Sequence, residues 1–213
     1  MMASRVQVPG HILGPTRPPW PAERAGLLRD DRLLCASPMK LSTLEVIGEA
    51  LAGAGVSYLI VGGVAVNAHG HQRLTLDLDL VLRLTSDNVL KALKALDGLG
   101  YQPLLPVVAE EFADPERRKE WIAQRNMQVF SLVSDEYRDT TIDLFVTEPF
   151  DYETEYRHAM VTELNPGLQV RFVRLQALIE MKEATGRPLD LDDVRHLRWI
   201  AAELAGQDAD APE

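Results

Sequence analysis

The chain has little cysteine and no long apolar segment. Cys35 is the only cysteine among the 213 residues, which excludes an internal disulfide framework and favours a reducing compartment. No run approaches the roughly 18 apolar residues that a membrane-spanning helix needs, and the first residues contain no continuous apolar signal segment. These absences predict a cytoplasmic protein that does not associate with a membrane.

Basic residues are also scarce relative to acidic ones. The chain carries 22 Lys and Arg against 32 Asp and Glu, which gives a formal net charge of -10. Proteins that coat nucleic acid by bulk electrostatic attraction are normally basic, so this class is disfavoured, although a local basic pocket remains compatible with the composition. The hydrophobic share of 46% and the charged share of 25% are typical of a globular domain with a packed core.

The composition changes along the chain and divides it into four segments. Residues 1–38 are dense in proline and glycine without a sustained period, so they are predicted to form an irregular N-terminal arm. Residues 39–150 are predicted to form the core of one domain, and residues 151–206 a mainly helical C-terminal part of the same domain. Residues 207–213 are expected to be a tail.

Helix starts are indicated by polar residues at capping positions. Ser42, with a glutamate three residues later, predicts a capping box for the first helix. Ser86 and Asp114 predict the caps of two further helices, the second with proline at its first helical position. Asp190 and Asp193 have a similar spacing at the start of the last helix.

Strands are indicated by short apolar or alternating runs. Residues 56–63 read as a buried strand that ends in two glycines, and residues 74–84 alternate strictly between apolar and polar. Residues 127–133 and 140–146 flank a polar stretch and predict an antiparallel hairpin, and residues 168–173 predict one more strand. These elements together predict an α/β fold with a mixed β-sheet flanked by helices and a small helical C-terminal part.

Three aspartates within the predicted strands suggest a metal site. Asp77 and Asp79 share one face of their strand, because successive side chains point to opposite faces. Asp143 stands between apolar neighbours in a second strand, and would join the other two if the strands were adjacent. Neighbouring carboxylates repel unless a cation lies between them, and oxygen ligands suit Mg²⁺. The alternative is an ordinary solvated strand face.

Two glycines follow the first strand. Gly62 and Gly63 would allow phosphate oxygens to approach backbone N–H groups at the start of a short helix. A tight turn that requires glycine for its own conformation is the structural alternative, and the pair alone does not decide between the two.

Two histidines in the following loop raise the question of zinc. His69 and His71 would need two more ligands, and the lone cysteine lies in the predicted arm. A zinc site is therefore not predicted here, and His69 is expected to form a local hydrogen bond near the start of the strand.

The glycine pair, the loop and the alternating aspartates form one longer pattern. Its most specific part consists of His69, Gly70, Arg73, Thr75, Asp77, Asp79 and Leu80. This pattern resembles the nucleotidyltransferase superfamily that includes DNA polymerase β. It is similar, more closely, to a bacterial branch with minimal nucleotidyltransferases, abortive-infection type IV toxin nucleotidyltransferases and lincosamide nucleotidyltransferases. Residues 178–197 also resemble a helical segment of that branch, so the resemblance extends from Ser42 to Leu204.

The resemblance implies a polymerase β-like nucleotidyltransferase fold and a role for each carboxylate. Asp77 and Asp79 would bind the metal ions that bridge the nucleotide phosphates. Asp143 would be the third catalytic carboxylate, which completes the second metal site and helps to deprotonate the acceptor hydroxyl. The implied cofactor is Mg²⁺, with two ions during turnover and Mn²⁺ as an alternative.

The resemblance also implies residues that bind the nucleoside triphosphate. Gly62 and Gly63 would cradle the phosphates, and Arg73 and Lys182 would be cationic partners for them. Arg187, in the loop after the helix that carries Lys182, is a further candidate for phosphate binding.

The leading hypothesis is a nucleotidyltransferase that moves a nucleoside monophosphate from a nucleoside triphosphate to a hydroxyl group. The acceptor would be a tRNA, a hydroxyl of a protein, or a small molecule. The alternative is a non-catalytic binding or scaffold protein with the same fold, as one half of a toxin–antitoxin pair with a cognate partner protein. A metal-dependent phosphohydrolase that uses the same acidic patch is a third hypothesis.

Overall fold

The computed structural model describes residues 39–209. The predicted N-terminal arm and residues 210–213 lie outside this part of the chain. The described elements are, in chain order, α1 Leu41–Gly53, β1 Tyr58–Ile60, α2 Gly62–Ala68, β2 Asp77–Leu82, α3 Ser86–Asp97, β3 Tyr101–Pro103, a 3₁₀ helix Ala109–Ala113, α4 Pro115–Arg125, β4 Val129–Ser134, β5 Thr141–Phe145, α5 Tyr152–His158, β6 Met160–Asn165, β7 Leu168–Phe172, α6 Leu175–Thr185 and α7 Pro188–Ala209.

The strands of the described chain form one sheet of seven, in the order β3-β4-β5-β2-β1-β7-β6. β2 pairs in parallel with β5, and β1 pairs in parallel with β7. The remaining neighbours are antiparallel, including the β4–β5 hairpin that the sequence predicts. The prediction of a mixed sheet flanked by helices is therefore confirmed.

The apolar core lies against the central strands. All three residues of β1 are buried, and α1 presents Leu44, Ile47 and Leu51 to the core at the predicted helical spacing. A methyl group at Gly48 would already stand 3.4 Å from the side chains of Leu168 and Val170. The absence of a side chain at this position thus lets α1 approach β7 closely.

One face of the sheet is less deeply buried than the other near β5. Along β4 and β5 the residues alternate between buried and half-buried. Ile142 and Leu144 fill the core side, whereas Ser131 and Asp143 lie on the opposite face. This alternation positions polar side chains on a partly open surface without exposing the core.

Of the caps predicted for the first, third and fourth helices, the structure confirms only that of α4. Asp114 caps α4, since its Oδ1 accepts a hydrogen bond of 2.9 Å from the Glu116 N–H. The capping box predicted for Ser42 and the cap predicted for Ser86 are wrong, because α1 begins at Leu41, α3 begins at Ser86 itself, and neither helix has a side-chain cap. The Ser86 hydroxyl instead donates to the Ala113 carbonyl oxygen at 2.9 Å.

The predicted cap of α7 is also wrong. The helix begins at Pro188, so Asp190 lies in its first turn and Asp193 beyond it. Both side chains bind cationic side chains instead of backbone N–H groups, because the buried Lys182 and the half-buried Arg73 lie within reach of them.

Two edge strands were not predicted. β3 and β6 lie at the two ends of the sheet, and each pairs on one side only. β6 has no buried residue and mixed polarity, so it lacks the strong pattern of the central strands. β6 and β7 lie in the C-terminal part that the sequence predicted to be mainly helical. They form an antiparallel pair within the main sheet. Among residues 39–209, no helix is both long and apolar enough to cross a bilayer.

Candidate functional site

The three aspartates predicted as metal ligands lie on two adjacent strands. β2 and β5 run in parallel, and their register places Asp79 directly beside Asp143. Asp77 stands two residues before Asp79 on the same face of the sheet, opposite Thr141. The oxygens of the three aspartates do not all lie within 4.8 Å of one another, so they form an open group of carboxylates.

The electrostatics of this group favour a cation. The pKa of Asp79 is raised to about 7, mainly by burial and then by the charges of the nearby Asp143 and Asp77 carboxylates. Lys182 and the Gly63 N–H oppose this increase. Burial, and then the charge of Asp143, also raise the pKa of Asp77. Mg²⁺ prefers oxygen ligands, and a cation among the three aspartates would offset the repulsion between their carboxylates. The three carboxylates therefore fit the implied metal.

Asp143 is fixed by a neighbour that the sequence did not reveal. Ser131 lies opposite Asp143 on β4, and its hydroxyl donates to Asp143 Oδ1 at 2.6 Å. A serine in an otherwise apolar run was the available signal, but its partner becomes evident only from the register. The Ser131 hydroxyl thus orients one carboxylate oxygen and leaves the other available.

The glycine pair packs against the strand that carries the aspartates. Gly62 begins α2 with a φ of 63°, a conformation that favours glycine. A methyl group there would lie 2.5 Å from Asp79 Cγ and 2.8 Å from Asp79 Cβ. A methyl group at Gly63 would lie 2.9 Å from Thr75 Cβ. Gly62 is therefore required for the turn and for the close approach of α2 to Asp79, and Gly63 for the close approach of α2 to Thr75 and Arg73.

The two predicted phosphate-binding cations share one buried partner. Arg73 Nε donates to both oxygens of Asp193, at 2.9 and 3.1 Å. Lys182 Nζ lies 2.7 Å from Asp193 Oδ2 and 3.0 Å from Asp190 Oδ1. The Asp193 side chain is fully buried. We refer to Arg73, Lys182, Asp190 and Asp193 as the Asp193 network.

The Asp193 network borders the carboxylate site. Lys182 is near enough to lower the pKa of Asp79, and Arg73 Nη2 would lie 3.0 Å from a methyl group on Gly63. Arg73 Nη1 donates to the Leu74 carbonyl oxygen at 3.0 Å. Nη2 is the guanidinium nitrogen that forms no hydrogen bond with a described residue, and it faces the glycine pair.

The remaining predicted residue, Arg187, is placed differently. It lies in the exposed connection between α6 and α7. Its side chain forms no ion pair with any residue from 39 to 206. The structure therefore does not join Arg187 to the Asp193 network.

The expectation of a local hydrogen bond for His69 is wrong. His69 Nε2 lies 2.8 Å from the carbonyl oxygen of Val173, which follows β7 far along the chain. Because a carbonyl oxygen only accepts, Nε2 carries the proton. Burial lowers the pKa of His69. His69 thus holds the loop after α2 against the end of β7.

Comparisons with known proteins give similarity at the level of structure only. No family model and no curated protein sequence matches the chain. One similar structure is the crystal structure of the lincosamide antibiotic adenylyltransferase LnuA with lincomycin bound. Its sequence is 15% identical to this chain, the alignment covers 77% of this chain and 99% of that chain, and the TM-score is 0.48. A structure of ANT(2")-Ia in complex with adenylyl-2"-tobramycin is also 15% identical, covering 78% and 97% with a TM-score of 0.46.

A third similar structure is an antigenic nucleotidyltransferase-like protein from Paracoccidioides brasiliensis. It is 18% identical, with 80% of this chain and 88% of that chain covered and a TM-score of 0.42. None of these values assigns an activity to this chain.

Proposed function

We propose that this protein is a metal-dependent nucleotidyltransferase, which transfers a nucleoside monophosphate from a nucleoside triphosphate to a hydroxyl group and releases pyrophosphate. The observation that carries this proposal is the register of β2 and β5, which places Asp79 beside Asp143 with Asp77 on the same face. The glycine pair and two cationic side chains border this group. The motif that resembles nucleotidyltransferases and the carboxylate geometry thus coincide.

Asp77, Asp79 and Asp143 would hold Mg²⁺, or Mn²⁺ in its place. Such ions, when bound, neutralise charge on phosphate oxygens and on the oxygens that attack and leave. The raised pKa values of Asp77 and Asp79 support this assignment, because a nearby cation favours the ionised carboxylates that burial and mutual repulsion otherwise disfavour.

The chain's own residues would activate and position the acceptor. The acceptor oxygen attacks the α-phosphorus, the bond from that phosphorus to the bridging oxygen of pyrophosphate breaks, and Asp143 takes the hydroxyl proton. Ser131 would keep one Asp143 oxygen engaged at 2.6 Å, so that the other oxygen faces the acceptor. Ser131 is in this view a positioning residue.

The phosphates of the nucleotide would lie between the glycine pair and the cations. Gly62 and Gly63 leave room for them beside Asp79, and Arg73 Nη2 faces the same space. Lys182 is held by two carboxylates, so its main contribution would be a fixed positive charge near Asp79. Arg187 would add only electrostatic attraction, since it is exposed and lies in a loop.

The acceptor class is a matter for experiment. The net charge of -10 disfavours a large RNA, because binding to phosphates relies on basic residues. We therefore propose a small-molecule hydroxyl first, then a hydroxyl of a protein, and then tRNA. A cognate partner protein, as in a toxin–antitoxin pair, would be compatible with any of the three.

The test is to supply the full chain with Mg²⁺, each triphosphate labelled at the α-phosphate, and a cell extract separated afterwards into small-molecule, protein and RNA fractions. We expect label in one fraction, and its loss with Asp77→Ala. Asp135→Ala removes a fully exposed carboxylate elsewhere and should leave transfer unchanged.

Two results would contradict the proposal. Release of labelled monophosphate with no labelled acceptor would indicate a phosphohydrolase. No reaction, together with no increase in melting temperature on addition of Mg²⁺ and nucleotide, would favour the scaffold hypothesis, because a ligand that binds the folded state must stabilise it.

A further inference from the structure

The surface beside the carboxylate site continues from β5 across β4 to the end of β3. The register pairs Asp143 of β5 with Ser131 of β4. Leu104, the residue after β3, donates its N–H to the Ser131 carbonyl oxygen at 2.9 Å, which continues the β3–β4 ladder by one pair. Asp79, Asp143, Ser131 and Leu104 therefore form one row across the sheet.

A second row runs beside the first. Asp77 is paired with Thr141 of β5, and the β4–β5 register, continued by one residue, places Val133 opposite Thr141. Side chains two residues apart along a strand share a face, so these residues lie on the face that carries the aspartates. Val133 and Thr141 are half-buried, and Leu104 is 58% exposed. We refer to four of these residues as the platform: Leu104, Ser131, Val133 and Thr141.

The platform carries no charge. Among the described residues, β3, β4 and β5 contain no lysine or arginine, and Asp143 is their only acidic residue. Asp139, which lies just before β5, is paired with Lys40 at 3.3 Å. The platform therefore offers neither a cation to a phosphate group nor a free carboxylate to an ammonium group.

The platform combines apolar surface with hydroxyl groups. Leu104 and Val133 supply the apolar surface, and the Ser131 hydroxyl is engaged by Asp143 Oδ1 at 2.6 Å. A single exposed leucine is ordinary on a protein surface. Leu104 differs in its position, because it stands in the row of the carboxylates, two strand spacings or about 10 Å from Asp143.

We propose that the platform binds the acceptor of the transfer reaction and selects an uncharged hydroxyl compound with an apolar face. The inference rests on the proposed function, in which Asp143 takes the proton of the acceptor hydroxyl. The acceptor must then lie beside Asp143. The nucleotide phosphates would occupy the side of Asp143 towards the glycine pair, so the platform is the surface that remains for the acceptor.

The selection has a physical cause. A charged acceptor would lose water from its charged group on the platform and gain no partner for it. An uncharged acceptor with an apolar face would bury that face against Leu104 and Val133, which is favourable. These two residues are therefore the specificity-determining residues of the acceptor site.

The test separates a cell extract into protein, RNA and small molecules, and divides the small molecules by ion exchange at neutral pH into cationic, anionic and neutral fractions. The neutral fraction is divided again by retention on a reverse-phase column. Each fraction is incubated with the full chain, Mg²⁺ and the triphosphates labelled at the α-phosphate. We expect label to be transferred with the neutral, retained fraction.

The other outcomes are distinguishable. Transfer with any other fraction, and none with the neutral, retained one, would overturn this inference and leave the proposed nucleotidyltransferase activity standing. No transfer with any fraction would overturn the proposed function and this inference together.

A charged substitution at Leu104 tests the platform itself. Leu104→Lys should raise the apparent KM, measured by dilution of the neutral, retained fraction, by about tenfold or more, with kcat unchanged because the lost contact is one of binding. Leu90→Lys is the matched control, since Leu90 is 43% exposed but lies in α3, and its KM should equal that of the wild type.

Both variants change exposed side chains and should fold. Each should keep the increase in melting temperature with Mg²⁺ and nucleotide, which reports the nucleotide site alone. Equal KM values for the wild type and Leu104→Lys would overturn the assignment of the acceptor to the platform.

Discussion

Replacing Gly62 by alanine tests whether α2 must approach the aspartate strand as closely as the structure indicates. The substitution has two costs. A side chain at a φ of 63° is strained by about 1–2 kcal/mol. The new methyl group would also stand 2.8 Å from Asp79 Cβ and 2.5 Å from Asp79 Cγ. Rotation of the carboxylate alone does not relieve the overlap with Cβ, so the helix and β2 must move apart.

The magnitude follows from the two costs together. Overpacking of this kind typically costs about 1–3 kcal/mol, so Gly62→Ala should lower the free energy of unfolding by about 2–5 kcal/mol. Gly55 separates the two effects, because its φ is 64° and nothing lies within 4 Å of an added methyl group. Gly55→Ala should therefore cost about 1–2 kcal/mol.

Urea unfolding of the wild type, Gly62→Ala and Gly55→Ala measures both values under the same conditions. Gly53→Ala serves as a further control, because its position at the end of α1 is open and its φ is not positive; we expect it to be neutral or slightly stabilising. Equal losses for Gly62→Ala and Gly55→Ala would refute the close approach of α2 to Asp79. Gly62→Ala should also abolish the increase in melting temperature with Mg²⁺ and nucleotide, whereas Gly55→Ala should keep it.

Three further predictions concern charged groups. Asp193→Ala leaves Arg73 and Lys182 without their buried partner, so urea unfolding should show a loss of about 3–5 kcal/mol; a change below about 1 kcal/mol would contradict the importance of the network. Ser131→Ala removes the hydrogen bond to Asp143, and the initial rate of label transfer should fall about tenfold, or 1.4 kcal/mol; an unchanged rate would exclude a positioning role. Because the pKa of Asp79 is raised to about 7, the folded state binds its proton more tightly than the unfolded chain does between about pH 4 and pH 7. The contribution of Asp79 to stability therefore decreases as pH rises through this range. In a chelator, Asp79→Asn should be more stable relative to the wild type at about pH 8 than at about pH 4, and an equal difference at both pH values would contradict the raised pKa.

Strand alternation allowed much of the site to be predicted from the sequence. The period of two placed Asp77 and Asp79 on one face, and the apolar neighbours of Asp143 placed it opposite the core. The sequence did not specify that β2 and β5 are parallel neighbours, because such a pairing depends on contacts between distant segments. The sequence alone therefore did not establish that Asp79 and Asp143 are adjacent, whereas the register of β2 and β5 does.

The Asp193 network was missed for the same physical reason. Arg73 and Asp193 are 120 residues apart in the chain, and no local pattern links them. The acidic residues at the start of α7 matched a helix cap in their spacing, but burial beside Lys182 determined their partners.

The position of β1 has a consequence for how the protein folds. β1 lies between β2, which follows soon after it, and β7, which is near the end of the described chain. The apolar β1 strand therefore keeps one unpaired edge until the ribosome has produced most of the sequence. Such non-local pairing slows folding, and an exposed apolar edge promotes aggregation. Chains truncated before residue 168 would lack the strand that covers this edge, and should accumulate in insoluble form during expression.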